Sequence, residues 1–282
     1  HGYFSLNFVT TRGCPYKCNW CAKPVYGNRY NSHSPESIAR RIKTLQAEFG
    51  FDHIWFADDI FGLKPGWLKA FNNAMKDLNV KVRYKIQSRA DLLLEDDNIR
   101  YLAESGCEEV WMGAESGAQK VLDAMDKGTQ IEQIRQATAL LRKHHIKPCF
   151  FLQFGYPGEF MPEIKETLAL VGNLKPHDIG ISVSYPLPGT KFYENVKADL
   201  VQKQNWTDSD DLHLMFGSSY SPRFYKYLQR YVHYRFRTDQ AFELFANKTF
   251  NRRSLLMPYY ILQQRLFRQK LIKAEPDAGR YL

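Results

Sequence analysis

The sequence predicts an α/β fold, namely a partial (β/α)6 barrel followed by a helical C-terminal extension. Between Phe4 and about Ser184, short apolar runs alternate six times with segments of helical periodicity. Each unit has roughly thirty residues, a length typical of parallel strands joined by right-handed crossovers. Many of the runs are nearly continuous, as expected where both faces of a strand are covered. A doubly wound sheet also fits this pattern, but we prefer a barrel, and because six units fall short of the eight in a closed one, we expect an open barrel.

The six predicted strands combine apolar, β-branched and aromatic residues, which favour extended structure. In chain order they are YFSLNFVT (3–10), HIWFAD (53–58), KVRYKIQS (81–88), CEEVWMGA (107–114), KPCFFLQF (147–154) and DIGISVSY (178–185). Parallel strands of this kind place their carboxyl ends along one edge of the sheet. We therefore expect the chemistry of the protein at that edge.

The segments between the strands predict helices because their apolar residues recur at helical spacing. The first helix runs from Pro35 to Phe49, with Ser34 as its N-cap and proline at its first position. The third predicted helix, near residues 96–105, ends at Gly106, since glycine readily ends a helix. The helices after the first are predicted near residues 66–77, 96–105, 131–144 and 162–173.

The pattern changes after Thr190. Residues 193–205 predict a helix, TDSDD (207–211) a loop, and residues 222–273 two or three basic, aromatic-rich helices. We expect two domains, a barrel over residues 1–192 and an extension over residues 193–282. The chain opens with His1 rather than Met, which suggests that further residues precede it.

The net charge of +9 is unevenly distributed. Residues 222–273 hold twelve Lys or Arg and two acids, a net charge of +10, so the rest of the chain is nearly neutral. No long uncharged apolar run predicts a membrane span, and no signal segment opens the chain. Five cysteines in a chain of 282 residues argue against a disulfide-framed secreted protein and favour the reducing cytoplasm.

Three of the cysteines lie within eight residues, in the stretch TTRGCPYKCNWCAKPVYG. Cys14, Cys18 and Cys21 have C-x3-C-x2-C spacing, and the nearest histidine beyond them is His33. A structural zinc site and an electron-transfer iron–sulfur cluster normally use four ligands, so both are weaker alternatives. Three thiolates suit a [4Fe-4S] cluster with one iron left open for a substrate or cofactor.

Polar residues or short segments that contain glycine follow each predicted strand. This is expected if the functional site lies at the carboxyl edge of the sheet. They are Cys14, Asp58 and Asp59, Ser88 and Arg89, Glu115 and Ser116, GYPGE (155–159) and YPLPGT (185–190).

The motif CPYKCNWC after the first strand of such a barrel resembles the radical S-adenosylmethionine superfamily. The resemblance implies a [4Fe-4S] cluster on Cys14, Cys18 and Cys21, with the amino and carboxylate groups of S-adenosylmethionine (SAM) on the open iron. It implies reductive cleavage of SAM to a 5′-deoxyadenosyl radical that removes hydrogen from a substrate. A flavodoxin or ferredoxin is the expected reductant.

The same resemblance implies roles for further residues. Trp20 matches the aromatic position over the cluster, unless it only covers the loop. FADD stands where the family often has Gly-Gly-Glu, so Asp58 and Asp59 are candidates for the amino group of SAM, with helix capping as the alternative. The other candidates are Arg89 with Ser88 for the SAM carboxylate, Glu115 with Ser116 for the ribose, and Phe154 with Gly155 for the adenine. A strand-end salt bridge is the alternative for Arg89.

Four stretches together resemble the cobalamin-associated branch of this superfamily: residues 10–30, GAESGAQKVLDAMDKGT, FGYPGE and YPLPGTKFYE. That branch includes methylases of unactivated carbon and the anaerobic magnesium-protoporphyrin monomethyl ester cyclase. Its members usually carry a cobalamin-binding domain before the barrel. FDHIW (51–55) lacks the glycine of the Asp-x-His-x-x-Gly signature, so we expect cobalamin, if used, to bind upstream.

The basic extension, exemplified by SPRFYKYLQRYVHYRFR, has three interpretations. Its helices pack tyrosines on the barrel, close the active site over an anionic or large apolar substrate, or dock on an acidic membrane or nucleic acid. A tRNA-modifying enzyme of the methylthiotransferase type is the competing function, although no small β-rich RNA-binding domain follows the barrel. A metal-stabilised binding protein is the rival of another class. We expect a small-molecule substrate rather than a nucleic acid.

Overall fold

The computed structural model describes residues 4–21, 29–200 and 217–282. Its main sheet is the half-barrel of six parallel strands that the sequence predicts, ordered as they occur in the chain. These strands are β1 (Ser5–Phe8), β4 (His53–Phe56), β5 (Arg83–Ser88), β6 (Cys107–Glu115), β7 (Lys147–Phe154) and β8 (Asp178–Val183). Two further short strands, β2 (Thr11–Arg12) and β3 (Asn31–Ser32), form an antiparallel pair.

The register of the sheet pairs apolar residues of neighbouring strands. Leu6 of β1 lies opposite Ile54 of β4, and Ile54 lies opposite Tyr84 of β5. Ile54 and Tyr84 are fully buried. Because side chains alternate between the two faces of a strand, this register places apolar side chains of all three strands on the same face.

The helices follow the strands. The first, α1 (Pro35–Phe49), begins where the sequence predicts, because the Ser34 side chain accepts a hydrogen bond from the Ser37 nitrogen. It ends at Gly50, which has a left-handed φ of 66°. The remaining α-helices are α2 (Trp67–Asp77), α3 (Ala90–Leu93), α4 (Asn98–Glu104), α5 (Gln119–Ala124), α6 (Ile131–Lys143), α7 (Met161–Leu174), α8 (Lys191–Val196), α9 (Pro222–Ala246), α10 (Arg252–Leu255) and α11 (Met257–Ala274).

Several element limits differ from the sequence prediction. The first strand ends at Phe8 and the last at Val183, two residues earlier than predicted in each case. The short helices α3 and α5 follow β5 and β6 without a cap signal that the sequence reveals. The helix predicted over residues 193–205 begins earlier, at Lys191, because Thr190 caps it. Its predicted end and the predicted loop 207–211 lie outside the described residues.

Packing divides the chain into two compact units. The first comprises His1–Ala114, Asp126–Phe151 and Pro176–Asp178, and the second comprises Glu115–Met125, Leu152–Lys175 and Ile179–Leu282. The domain limit predicted after residue 192 stays a prediction. In the described part of the chain, every helix is too short or too polar to span a bilayer.

Each unit has its own aromatic core. In the first unit, the ring of Phe56 lies 4.5 Å from that of Phe61 and 5.2 Å from that of Tyr84, centroid to centroid. In the second unit, Tyr234 of α9 stacks on Phe267 of α11 with ring centroids 5.7 Å apart. Residues 222–274 hold three α-helices, namely α9, α10 and α11, which is the larger of the two numbers that the sequence predicts.

Candidate functional site

The three predicted cluster ligands lie on the loop after β2. Cys14, Cys18 and Cys21 are half-buried, and none forms a disulfide. Gly13 opens the loop with a left-handed φ of 82°, and a Cβ atom there would lie 1.8 Å from the Arg29 carbonyl oxygen. Only glycine permits this close approach, so Gly13 determines where the loop that carries the three cysteines begins.

Arg89 directs its guanidinium towards this loop. It is almost fully buried at the end of β5, and its Nη1 atom lies 3.8 Å from the sulfur of Cys18. Its Nη2 atom donates to Asp91 at 2.8 Å, to the Lys127 carbonyl at 2.9 Å and to the Thr129 hydroxyl at 3.1 Å. The guanidinium is therefore held on one side and presents Nη1 to the cysteine.

Aromatic rings lie beside these charged groups. The guanidinium of Arg89 stacks 3.7 Å above the ring centre of Tyr16, on the cysteine loop. Trp20 precedes the last cysteine, and its indole nitrogen is buried without a hydrogen-bond partner among the described residues. The Asn19 amide donates to Asp126 at 3.2 Å. Because an unpaired buried N–H is costly, an acceptor outside the described residues would stabilise the Trp20 indole.

The residues present fit an iron–sulfur cluster. In the described ranges, no three His, Cys, Asp or Glu side chains are arranged to hold a single metal ion. A cubane cluster makes a different demand, since each thiolate binds a different iron at its own corner. Three thiols on one loop supply such a donor set, and the Arg89 guanidinium lies beside one of them. The half-buried loop and the indole of Trp20 are compatible with a bound cofactor.

Asp58 and Asp59 follow β4 but have different surroundings. The Asp58 carboxylate is buried and accepts hydrogen bonds from the Thr10 nitrogen at 2.6 Å and the Thr11 nitrogen at 3.1 Å. The Thr10 hydroxyl also donates to it. Burial raises the pKa of Asp58, although these hydrogen bonds oppose the shift. Asp59 is exposed. The structure thus ties Asp58 to the segment before the cysteine loop, and Asp59 keeps the more accessible carboxylate.

Ser88, Glu115 and Ser116 lie at the carboxyl ends of two strands, as predicted. Ser88 is the last residue of β5 and is buried. Glu115 is the last residue of β6 and has a left-handed φ of 57°, which is strained for a residue other than glycine. Such backbone strain often accompanies functional positions.

The turn after Glu115 is locked onto α7. Thr167 of α7 accepts a hydrogen bond from the Gly117 nitrogen at 2.8 Å, and its hydroxyl lies 3.1 Å from that of Ser116. A Cβ atom on Gly117 would lie 2.4 Å from the Glu166 carbonyl oxygen, so only glycine permits this packing. The contacts of Ser116 are thus structural, and its predicted contact with SAM stays a prediction.

Phe154 and Gly155 lie at the end of β7. Phe154 is buried, and Gly155 has a left-handed φ of 81°. The Gly155 nitrogen donates to the carboxylate of Glu159 at 2.6 Å, and a Cβ atom on Gly155 would lie 3.2 Å from the ring of Tyr225. Glycine therefore allows α9 to approach the end of the strand closely.

Glu159 is a residue of interest that sequence reasoning missed. Its side chain is fully buried, and its Oε1 atom has no hydrogen-bond partner in the part of the chain that the structure describes. Burial raises the pKa of Glu159 to about 8. The available signal was its place in GYPGE, four residues after Gly155, but burial of an acid is not evident from that spacing.

Within each unit the structure brings some of the predicted site residues together. The structure brings Cys18, Arg89 and Tyr16 together in the first unit, and places Asp58 on the segment that leads to the same loop. In the second unit, Glu115 and Phe154 end β6 and β7, and Ser116 and Gly155 follow them directly.

Comparison with known proteins gives a family match and more distant relatives. A protein-family model described as the Radical SAM superfamily matches residues 8–171. An uncharacterized methyltransferase of Pyrococcus horikoshii is 26% identical over 200 residues, which are 70% of this chain and 43% of that protein. The anaerobic magnesium-protoporphyrin IX monomethyl ester cyclase of Cereibacter sphaeroides is 24% identical over 189 residues, which are 66% of this chain and 31% of the cyclase.

The fold resembles a solved structure over nearly its whole length. The cobalamin-dependent S-adenosylmethionine radical enzyme OxsB superposes with a TM-score of 0.68 at 18% identity. The match covers 96% of this chain and 48% of OxsB. The chain therefore spans less than half the length of each of these three proteins.

Proposed function

The chain belongs to the Radical SAM superfamily, as its cysteine motif predicts, and on this basis we propose that it is the barrel of a radical SAM methyltransferase or cyclase. Cys14, Cys18 and Cys21 would hold a [4Fe-4S] cluster whose open iron takes the amino and carboxylate groups of SAM. When bound, the cluster supplies the electron for reductive cleavage of SAM, and flavodoxin or ferredoxin is the proposed electron donor.

The observation that carries the proposal is the position of Arg89 beside the cysteine loop. Its Nη1 atom faces the Cys18 sulfur at 3.8 Å, while Asp91 and the segment containing Thr129 fix the rest of the guanidinium. A fixed cation at this place presents a hydrogen-bond donor to an anionic ligand. Such a donor suits the carboxylate of SAM.

The chain's other residues position SAM and exclude water. The indole N–H of Trp20 is buried and needs an acceptor, which a bound cofactor would supply. The exposed carboxylate of Asp59 suits an ammonium group, whereas Asp58 fixes Thr10 and Thr11 before the loop. Glu115 with Ser116, Ser88, and Phe154 with Gly155 remain proposed SAM-binding residues on the strength of the family pattern.

The proposed reaction is methylation of carbon or ring formation with cobalamin as second cofactor. This proposal is supported by the sequence similarity to a methyltransferase and to the magnesium-protoporphyrin cyclase, and by the fold that the chain shares with OxsB, a cobalamin-dependent enzyme. Cobalamin would be held by a domain upstream of this barrel. We propose a small-molecule substrate, large and apolar or anionic, and a cytoplasmic location.

Anaerobic reconstitution with iron and sulfide tests the proposal. We expect a brown protein with about four irons and four acid-labile sulfides, which forms 5′-deoxyadenosine from SAM in the presence of a strong reductant. The Cys18→Ala variant should lose this activity. The matched control is Cys107→Ala, which removes a buried thiol at the start of β6. Retention of SAM cleavage by Cys18→Ala contradicts the proposal.

Two rival functions give different results in the same preparation. One tightly bound zinc without acid-labile sulfide indicates a metal-stabilised binding protein. The charge of +10 over residues 222–273 favours a second candidate, radical modification of tRNA. That function predicts tRNA binding that weakens steeply as salt is raised, because phosphate contacts release counterions.

A further inference from the structure

The outer face of α11 carries an exposed apolar stripe. Tyr259, Leu262 and Leu266 are 46%, 63% and 39% exposed, and their spacing of three and four residues places them on one side of the helix. Leu255 of α10, four residues before Tyr259, is 74% exposed. Tyr259 lies at the border of the stripe, because its ring also lies 6.0 Å from that of Tyr234 of α9, on which the buried Phe267 stacks.

Further apolar side chains are exposed at the adjoining end of α9. Phe242, Phe245 and Phe250 are half or more exposed, and the rings of Phe245 and Phe250 touch edge to face at 5.9 Å. The Arg253 guanidinium of α10 donates to Gln240 of α9 at 2.9 Å and thus ties α10 to this end of α9. Large apolar groups exposed close together are typical of interaction surfaces.

The same segment is strongly basic. Residues 242–274, which contain this surface, hold one acid, Glu243, and seven Lys or Arg. They are Lys248, Arg252, Arg253, Arg265, Arg268, Lys270 and Lys273. Arg265 and Lys273 are exposed on α11, the helix that carries the stripe. Helices with exposed leucines and aromatic residues beside Lys and Arg are suited to the interface of an anionic bilayer.

We propose that α10, α11 and the end of α9 form a surface that binds anionic lipid bilayers, with α11 lying in the plane of the membrane. Tyr259, Leu262 and Leu266 enter the boundary between head groups and acyl chains, and the cations contact lipid phosphates. A second copy of the chain would bring two cationic surfaces together. RNA would use the cations and aromatic rings, but it leaves the exposed leucines without a partner. An anionic membrane matches both features.

The test is co-sedimentation of the whole chain with vesicles. We expect binding to phosphatidylcholine vesicles that contain about one-third phosphatidylglycerol, no binding to pure phosphatidylcholine, and weakening by salt. Leu262→Glu should lower the affinity about tenfold or more, because it places a carboxylate where the helix contacts lipid. Phe49→Glu is the matched control, since Phe49 is 50% exposed on α1 and lies outside this surface.

Cation variants test the electrostatic part separately. The double variant Arg265→Gln, Lys273→Gln should bind anionic vesicles more weakly than the native chain. Leu262→Glu should bind them more weakly at every salt concentration. Circular dichroism checks that each variant is folded. The proposal is overturned if the chain does not bind vesicles, or if Leu262→Glu binds them as well as the native chain does. It is also overturned if Leu262→Glu loses a dimer or tRNA binding while its vesicle binding is unchanged.

Discussion

The Nη1 atom of Arg89 lies 3.8 Å from the sulfur of Cys18, although the two residues are 71 positions apart in the chain. The guanidinium is anchored by the Asp91 carboxylate at 2.8 Å, the Lys127 carbonyl and the Thr129 hydroxyl. Arg89 therefore connects the end of β5, the cysteine loop and the segment before α6. It is a fixed donor, which a single surface salt bridge would not provide.

The Arg89→Lys variant tests whether stability and SAM binding depend on the planar, forked shape of the guanidinium. Lysine keeps the charge but loses the planar arrangement that contacts Asp91, Thr129 and Cys18 together. We expect an unfolding free energy lower by about 1–3 kcal/mol and SAM binding weaker by about tenfold in the reconstituted protein. Chemical denaturation and equilibrium dialysis with labelled SAM measure the two effects.

The control for this substitution is Arg100→Lys. Arg100 is exposed and contacts Asp97 and Glu104 on its own helix. Its replacement should change the unfolding free energy by less than about 0.5 kcal/mol and leave SAM binding unaltered. Equal behaviour of the Arg89 and Arg100 variants would show that Arg89 is only a strand-end salt bridge.

Glu159 makes the stability of the fold depend on pH. Burial raises its pKa from the ordinary 4.5 to about 8, and the nearby Glu163 adds to the shift. An acid whose pKa is raised by folding contributes stability that is fully present below its unfolded pKa and is lost as the pH rises through its folded pKa. We expect the free energy of unfolding to fall by on the order of a few kcal/mol between about pH 4.5 and pH 8.

The Glu159→Gln variant should lack this pH dependence. Glutamine keeps the acceptor for the Gly155 nitrogen and does not ionise. Denaturation at a series of pH values compares the two chains. Glu132→Gln is the control, because Glu132 is exposed on α6, and we expect this variant to keep the pH dependence of the native chain. Parallel pH profiles for the native chain and Glu159→Gln contradict the buried neutral acid.

Thr167→Val tests the lock between α7 and the turn after β6. The hydroxyl of Thr167 accepts the Gly117 N–H, which valine leaves unpaired in a crowded place. We expect the free energy of unfolding to fall by about 1–3 kcal/mol. Thr138→Val is the control, because the Thr138 hydroxyl bonds only to the Ile134 carbonyl of its own helix among the described contacts. A smaller loss in Thr167→Val than in Thr138→Val would contradict the lock.

Local signals in the sequence were sufficient for much of the fold. Ser34, Pro35 and Gly50 define α1 because capping depends on neighbouring residues only. The order of the six strands also follows from the regular alternation of strands and helices. The short helices α3 and α5 carry no such signals, since neither has a side-chain cap.

The chemistry of single residues was less predictable. Asp58 looked equivalent to Asp59, yet its carboxylate is occupied by donors 48 and 47 residues earlier in the chain. Likewise, nothing in GYPGE indicates that Glu159 is fully buried. Such partners are set by tertiary packing, which places distant segments side by side, and a single sequence does not specify those distances.

The two neighbouring aspartates should separate stability from cofactor binding. The Thr10 and Thr11 nitrogens both donate to Oδ1 of Asp58, an acceptor that asparagine keeps, but the amide group of Asp58→Asn faces the Thr10 hydroxyl, which then has to turn and accept. We expect this substitution to lower the free energy of unfolding by about 1 kcal/mol. Asp59→Asn changes an exposed side chain, so its effect on unfolding should stay within about 0.5 kcal/mol.

SAM binding should respond in the opposite order if Asp59 receives the amino group. Removing its charge deprives the ammonium of a partner, which should weaken binding about tenfold in the reconstituted protein. Binding by Asp58→Asn is measured at a temperature where circular dichroism shows it folded, and we expect a smaller loss there. Because each aspartate is the control for the other, a larger loss of SAM affinity in Asp58→Asn would return the role to the buried residue.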